Sequence, residues 1–235
     1  NIEGEVVVLS NSIISPSTQD IIDTFTSKYA AKHVQYDAIS YNGMLEANNA
    51  SFGVRALPTY HLDKADVIVS FGADFLNSWL NIDFERQYVD NRNPKTGKMS
   101  RHFQIESNLS LSGSNADVRV VVKPSEQLIL LENLYNTLKG NSTVDARIAD
   151  AASELSAAKG RSLVIAGSND VSVQIMVNAI NDLLNNYGAT LDIENPCYLK
   201  KGDDSAVAAL VKDMNAGKVG GLIVCGVNPA YTFPN

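Results

Sequence analysis

The sequence predicts an α/β protein in two lobes, each built on a mostly parallel sheet. Three observations lead there. Short apolar runs alternate with helical patterns along the whole chain, an order that lays parallel strands side by side with helices across both faces. The helix edges are well marked. Ser15-Pro16 sets a cap and a first-turn proline ahead of Ile21, Ile22, Phe25 and Tyr29 at helical spacing, and Gly140 closes the helix carrying Leu128, Leu131, Leu134, Tyr135 and Leu138. Finally, the alternation starts afresh after the polar stretch KGNSTVD (139–145).

The elements run in order. Strands are expected at VVVLS (6–10), HVQYDA (33–38), DVIVSF (66–71), HFQIES (102–107) and VRVVVK (118–123), with helices near 16–31, 42–51, 126–139 and 144–158. The restart brings SLVIAG (162–167), a helix near 171–186 closed by Gly188, a short strand TLDI (190–193), a helix near 203–216 capped by Asp203 or Asp204, and GLIVCG (221–226). This divides the chain into a first lobe, 1–145, and a second, 146–235. The second lobe reads as incomplete at its C-terminal end, and the start at Asn1 instead of Met reads as that of an excised piece.

Composition narrows the function. At 235 residues and 45% hydrophobic content the chain can bury a real core. Lys+Arg 19 against Asp+Glu 26, a net charge of -7, argues against a nucleic-acid or anionic-lipid surface, since both call for clustered positive charge. No run reaches the roughly 20 apolar residues of a membrane span. Cys197 and Cys225 form no CxxC pair, and His33, His61 and His102 are scattered, so no metal-ligand spacing appears. A disulfide between the cysteines stays open, but Cys225 inside an apolar run reads as a small core residue.

Three strands end in related turns: Gly72-Ala73-Asp74, with Asn77 three residues further on, Gly167-Ser168-Asn169, and Gly226-Val227-Asn228 with Pro229 next. In an open parallel sheet such turns sit at the carboxyl ends of strands, where ligands bind. Glycine permits close approach, while Asp or Asn can accept from a ligand or from the amides of the next helix. The plainer reading is that each turn closes a strand and caps a helix. Neither GxGxxG nor GxxxxGK[ST] is present. No catalytic constellation stands out either: His61 reads as a strand-edge residue, Trp79 as core, and Asp83, Glu85, Asp203 and Asp204 as solvated or capping groups. The polar insert at 88–102, carrying Arg92, Lys95, Lys98 and Arg101, reads as a turn-rich surface excursion suited to meeting a partner.

ADVIVSFGADFLNSW (65–79), NADVRVVVKPSEQLILLENL (115–134) and GGLIVCGVNPAYTFP (220–234) together resemble strand-turn motifs of the molybdopterin oxidoreductase superfamily, which contains formate dehydrogenases and dimethyl sulfoxide reductases. Within it, NPAYTFP, RQYVDNRNPKTGKMSRHFQIES, SPSTQDIIDTF and HVQYDAIS look like the large iron-sulfur subunit of bacterial alternative complex III, a quinol:cytochrome c oxidoreductase. The resemblance implies two Rossmann-like lobes of the formate dehydrogenase/dimethyl sulfoxide reductase type, the second truncated. It further implies a respiratory setting on the periplasmic side of the bacterial inner membrane, reached through partner subunits without direct membrane insertion.

The departures shape the functional expectation. Where catalytic relatives carry Asp-Pro-Arg the chain reads Glu106-Ser107-Asn108, and where they carry Pro-Gly-x-Asp it reads Pro124-Ser125-Glu126-Gln127, losing backbone access and a negatively charged acceptor. No cysteine cluster or molybdenum ligand is visible. The expectation is therefore a structural and docking region of an electron-transfer complex, with no catalytic residues, no metal and no cofactor of its own. Gly72, Asp74, Asn77, Gly167, Ser168, Asn169, Gly226, Asn228 and Pro229 would be a vestigial cofactor-binding set, and iron-sulfur clusters would lie in other parts of a longer protein. The alternative is a fragment of an active enzyme still holding molybdopterin guanine dinucleotide. Pairing of two copies through an exposed boundary is also open.

Overall fold

The structure is a computed structural model that describes residues 3–80, 83–141 and 143–233. Pro234, which ends the C-terminal motif, and Asn235 lie outside the described residues.

The chain opens with β1 (Glu5–Ser10), α1 (Pro16–Tyr29), β2 (Lys32–Gln35) and α2 (Asn42–Phe52). Ser15 caps α1 by accepting from the Thr18 N–H, and Gly53 closes α2 at φ 72°. Then come β3 (Leu57–Tyr60), β4 (Val67–Phe71), α3 (Asp83–Asp90), the short strands β5 (Arg92–Asn93) and β6 (Lys98–Met99), β7 (Arg101–Glu106), α4 (Leu111–Asn115), β8 (Val118–Val121), α5 (Pro124–Leu138) and α6 (Ala149–Ala157). The last part is β9 (Ser162–Ala166), α7 (Val171–Leu183), β10 (Leu191–Cys197), α8 (Asp204–Asn215), β11 (Val219–Cys225) and the single turn α9 (Pro229–Thr232).

Two parallel sheets organise these elements, so the chain is α/β with mostly parallel strands as the sequence predicts. One has the order β8-β7-β4-β9 and the other β11-β1-β2, while β10-β3 and β5-β6 are small antiparallel pairs. Strand pairing does not respect the expected division at residue 145. β9, from the later part of the chain, pairs with β4, and β11 pairs with β1. The restart of alternation after residue 145 marks a new run of units along the chain, but those units complete sheets begun earlier.

The four-stranded sheet carries most of the core. Because side chains alternate across a strand, Val67, Val69 and Phe71 face α5, α6 and α7 in one apolar layer, while Ile68 faces a second layer with Leu45, Leu57, Trp79, Phe84 and Leu191. The three-stranded sheet has a smaller core, in which Val7, Leu9, Val34 and Tyr36 meet Val207 and Leu210 of α8. On its other face α1 buries no residue completely.

Two local expectations need correction. The insert at 88–102 is more than a surface excursion. Tyr88, Asn91, Ser100 and His102 are buried, Asn91 donates to the carbonyls of Leu62 and Ala65, and Arg92 forms an ion pair with Asp117 at 2.7 Å. Its polar residues are drawn inward chiefly where hydrogen-bond partners await them. Cys225, expected in the core, is exposed, and both cysteines are free thiols. Its strand lies at a sheet edge, so apolar sequence there does not bring burial.

Candidate functional site

Ligands of open parallel sheets bind outside the carboxyl ends of the strands, where the strand order reverses. The order β8-β7-β4-β9 reverses between β4 and β9, and β11-β1-β2 reverses between β1 and β11. All three glycine turns lie at these points: Gly72 comes after β4, Gly167 after β9 and Gly226 after β11.

The first crevice is filled by the protein itself. The Gly167 N–H donates to the Phe71 carbonyl at 2.9 Å, and a Cβ on Gly167 would stand 2.5 Å from the Gly72 carbonyl oxygen. Gly72, at φ +69°, donates to the Ile105 carbonyl at 2.9 Å, and Gln127 Oε1 lies 3.1 Å from where a Cβ would be. Gln127 in turn donates to Ser107 Oγ at 3.2 Å, so Ser107 and Gln127, two of the departures noted in the sequence, meet over Gly72.

The polar residues of these turns also bond to the chain. Asp74 accepts from the Ser112 N–H at 2.9 Å and from Asn77 Nδ2 at 3.2 Å, while Asn169 Oδ1 accepts from the Gly43 N–H of α2 at 2.8 Å. Ser168 accepts from the Asp170 N–H through its hydroxyl, at 3.1 Å, and from Gln174 through its carbonyl, at 2.6 Å. What remains is a hollow of about 100 Å³ between α5 and α7. Pockets for small ligands begin at roughly 300 Å³.

The second crevice is wider. Gly226, at φ +69°, lets the chain turn under Asn11, whose Oδ1 would be 2.8 Å from a Cβ. Beside it opens a pocket of about 350 Å³, with Asn11, Asp37, Lys200, Gly226 and Asn228 among its lining. Asn228 starts α9 by accepting at its carbonyl from the Tyr231 and Thr232 N–H groups, and Pro229 takes the first helical position, where its missing N–H has no cost. At the floor Asp37 accepts from the Ser12 N–H at 3.1 Å, the Ser12 hydroxyl at 2.5 Å and the Gly202 N–H at 3.2 Å. Three acceptor positions of this carboxylate are thus occupied in tying the loop after β1 to the loop before α8.

A polar row on β7 was not legible as a unit in the sequence. His102, Gln104 and Glu106 alternate onto one face of a buried strand. His102 Nδ1 lies 3.2 Å from the Tyr88 hydroxyl and its Nε2 3.1 Å from Gln104 Oε1, and Gln104 donates to Glu106 at 3.2 Å. Glu106 also accepts from the Ser110 hydroxyl and from Arg119 Nε, each at 2.5 Å. Burial lowers the His102 pKa to about 4 and pushes the Tyr88 hydroxyl up to about 12. Burial also acts to raise Glu106, but the bonds from Arg119, Ser110 and Gln104 outweigh it and hold the carboxyl below its ordinary range. The alternation H-x-Q-x-E was the available signal.

His102 is wholly buried and neutral near pH 7. Ser10 Oγ lies 2.8 Å from both His33 Nε2 and the Asn11 carbonyl oxygen, so its single proton has two acceptors within reach. Among the described residues no group of three or more His, Cys, Asp or Glu could hold a metal ion, and no helix is long and apolar enough to cross a membrane.

No family model matches the chain, and no curated protein matches it. A solved structure does share its fold. Over 96% of its length the chain aligns with 54% of a chain from the formyltransferase/hydrolase complex of Methylorubrum extorquens, determined in complex with methylofuran, at a TM-score of 0.52 and 15% identity. The chain thus spans about half the length of that neighbour. This overturns the resemblance to the molybdopterin oxidoreductase superfamily and to alternative complex III. The motifs at 65–79 and 220–233 are a strand with a glycine turn, and the motif at 115–134 is a strand followed by a proline-led helix start, elements that any parallel α/β sheet repeats at its carboxyl edge. The respiratory setting, the periplasmic placement and the pterin cofactor drawn from that resemblance lose their support with it.

Proposed function

We propose that the chain is a non-catalytic α/β module whose role is structural, docking against other polypeptides within a larger assembly. The observation that carries this reading is the closed crevice between β4 and β9. There Gly167 rests on the Gly72 carbonyl and Gln127 covers Gly72, leaving no room for a nucleotide. The same edge carries exposed Leu109, Leu111, Leu128 and Val171, apolar side chains suited to a protein surface and not to a phosphate or sugar. The structural neighbour is named as a complex, which agrees with such a role.

A second reading rests on the 350 Å³ pocket beside Gly226, whose polar lining suits a small polar ligand. One experiment separates the two: a thermal-shift screen of the chain against guanine and adenine nucleotides and small polar metabolites. Ligands that bind only the folded state raise its melting temperature by mass action. The docking reading expects no shift. A concentration-dependent rise that Asn228→Ala abolishes would overturn it in favour of the ligand.

A further inference from the structure

We propose that the hollow between β3, α3 and β10 is a binding site for a small apolar molecule with a single ring, and that Cys197 forms part of its wall. The inference goes beyond the docking reading, since it concerns a free ligand and a different part of the fold. The hollow measures about 170 Å³, walled by Leu57 and Tyr60 of β3, Phe84 of α3, Cys197 at the end of β10, and Leu80 and Leu199. Leu57, Tyr60 and Phe84 belong to the apolar layer that Ile68 faces. β10 pairs with β3, setting Cys197 opposite Leu57, so the walls are held together by mid-chain elements and involve neither β11 nor α9.

Volume and chemistry select the ligand. A cavity of about 150 Å³ with aliphatic and aromatic walls takes up one benzene, whereas pockets for larger ligands begin at roughly 300 Å³. The polar side chains at the hollow are bonded to the protein itself. Gln87 accepts from the Leu62 N–H at 2.8 Å and donates to Asp83 at 3.0 Å, Asp83 pairs with Arg86 at 3.1 Å, and the Thr59 hydroxyl donates to the Asn195 carbonyl at 2.7 Å. The surface offered to a ligand is therefore chiefly aliphatic and aromatic, with one thiol, and the Asp83 carboxylate disfavours an anion.

The walls are fixed in place. Tyr60 meets Trp79 at 5.3 Å and Phe84 at 5.8 Å between ring centroids, both edge to face, and its hydroxyl donates to Met44 Sδ at 3.5 Å. Trp79 also lies 5.7 Å from Phe84, so the buried indole backs two of the rings that line the hollow. Leu80 stands at φ +60°, a left-handed conformation that a bulky residue seldom adopts, and its N–H donates to the Tyr41 hydroxyl at 3.2 Å. Strain of this kind persists only where the surroundings impose it, and it collects at ligand clamps.

The chain carries its own reporters, one tryptophan beside the hollow and two free thiols, of which Cys197 lines it and Cys225 is exposed elsewhere. Benzene is the probe. At about four times its Kd it should slow alkylation of Cys197 by iodoacetamide roughly five-fold, leave Cys225 unchanged, and shift the Trp79 emission. Cys197→Phe, which fills the hollow with a ring, should abolish the emission shift. Should that variant not fold, protection of Cys197 in the native chain decides alone; should Cys197 be unreactive throughout, the emission shift and its loss in the variant decide. Unchanged alkylation and emission up to the solubility of benzene overturn the site. So does equal slowing at both cysteines, or an emission shift that leaves a reactive Cys197 unprotected. None of these outcomes touches the docking reading, which the screen of nucleotides and polar metabolites tests separately.

Discussion

The edges at β9 and β11 are both parallel strands with apolar sequences, SLVIA and VGGLIVC, yet one is fully buried and the other half open. The difference lies in the segment that each strand leads into. β9 leads into α7, whose Asn181 returns to the strand and satisfies Val164 at both its N–H and its carbonyl, and the loop before β10 adds Asn186 and Thr190. β11 leads into a single turn, α9, whose Thr232 meets the Tyr36 hydroxyl, and among the described residues no side chain bonds along the outer edge of the strand. A parallel strand is therefore finished by side-chain amides as effectively as by another strand, and apolar content alone does not tell a finished edge from an open one.

Removing the finish at β9 should have the largest effect. Asn181→Leu leaves the buried Val164 N–H and carbonyl without partners and takes an acceptor from Asn186, so the expected loss is about 4 kcal/mol, with unpaired buried groups costing roughly 1 to 3 kcal/mol each. Urea denaturation measures it. A loss below about 1 kcal/mol would mean that water or a backbone shift replaces the amide, and the contrast with β11 would fail.

The polar row on β7 gives a pH test of the same sheet. The His102 pKa is lowered from 6.5 to about 4 by burial, so below pH 6.5 an unfolded chain takes up a proton that the folded chain does not. Stability from this group is complete above pH 6.5 and is lost as pH falls toward 4, by about 3 kcal/mol in all at roughly 1.4 kcal/mol per pH unit. His102→Gln should flatten the slope of stability against pH in that window, whatever it does to stability at pH 7. An unchanged slope would mean that His102 is reached by solvent.

Much of this architecture was legible. The alternation of strands and helices, the Ser15-Pro16 helix start and the glycines after β4, β9 and β11 all arise from local chemistry that tertiary structure does not override. Less visible was which strands pair. The polar stretch 139–145 is a plain break in the periodicity, and nothing in it shows that β9 joins β4 or that β11 joins β1. The row His102, Gln104 and Glu106 contradicts the usual apolar content of a central strand, and its partners Tyr88, Ser110 and Arg119 lie on other segments. The glycine turns were found, but their meaning was not. Whether such a turn cradles a ligand or the next segment depends on Gln127 and Asn169, whose positions only the fold supplies.

The two crevices differ in the same way as the two edges, and glycine substitutions sharpen that contrast. Gly167→Ala drives a methyl to within 2.5 Å of the Gly72 backbone, which can move only by shifting β4. A loss of about 3 kcal/mol is expected, the upper part of the range for overpacking. Gly226→Ala meets the end of a side chain, Asn11, which can turn aside, so the cost is chiefly that of a positive φ, about 1 kcal/mol. Equal losses in thermal or urea unfolding would show that the second crevice is as tightly closed as the first.

The smallest effect should come from β11 itself. Val224→Thr exchanges a methyl for a hydroxyl on a half-exposed side chain, and at concentrations where the chain is monomeric the loss should stay within about 0.5 kcal/mol. The matching change at β9, Val164→Thr, places an unpaired hydroxyl in a fully buried layer and should cost about 2 kcal/mol. The ratio of the two losses is the informative quantity, because the chemical change is identical. A ratio near one would mean that β11 is covered in solution even when the chain is dilute, and its cover would then have to come from a rearrangement of α8 or α9 within one copy.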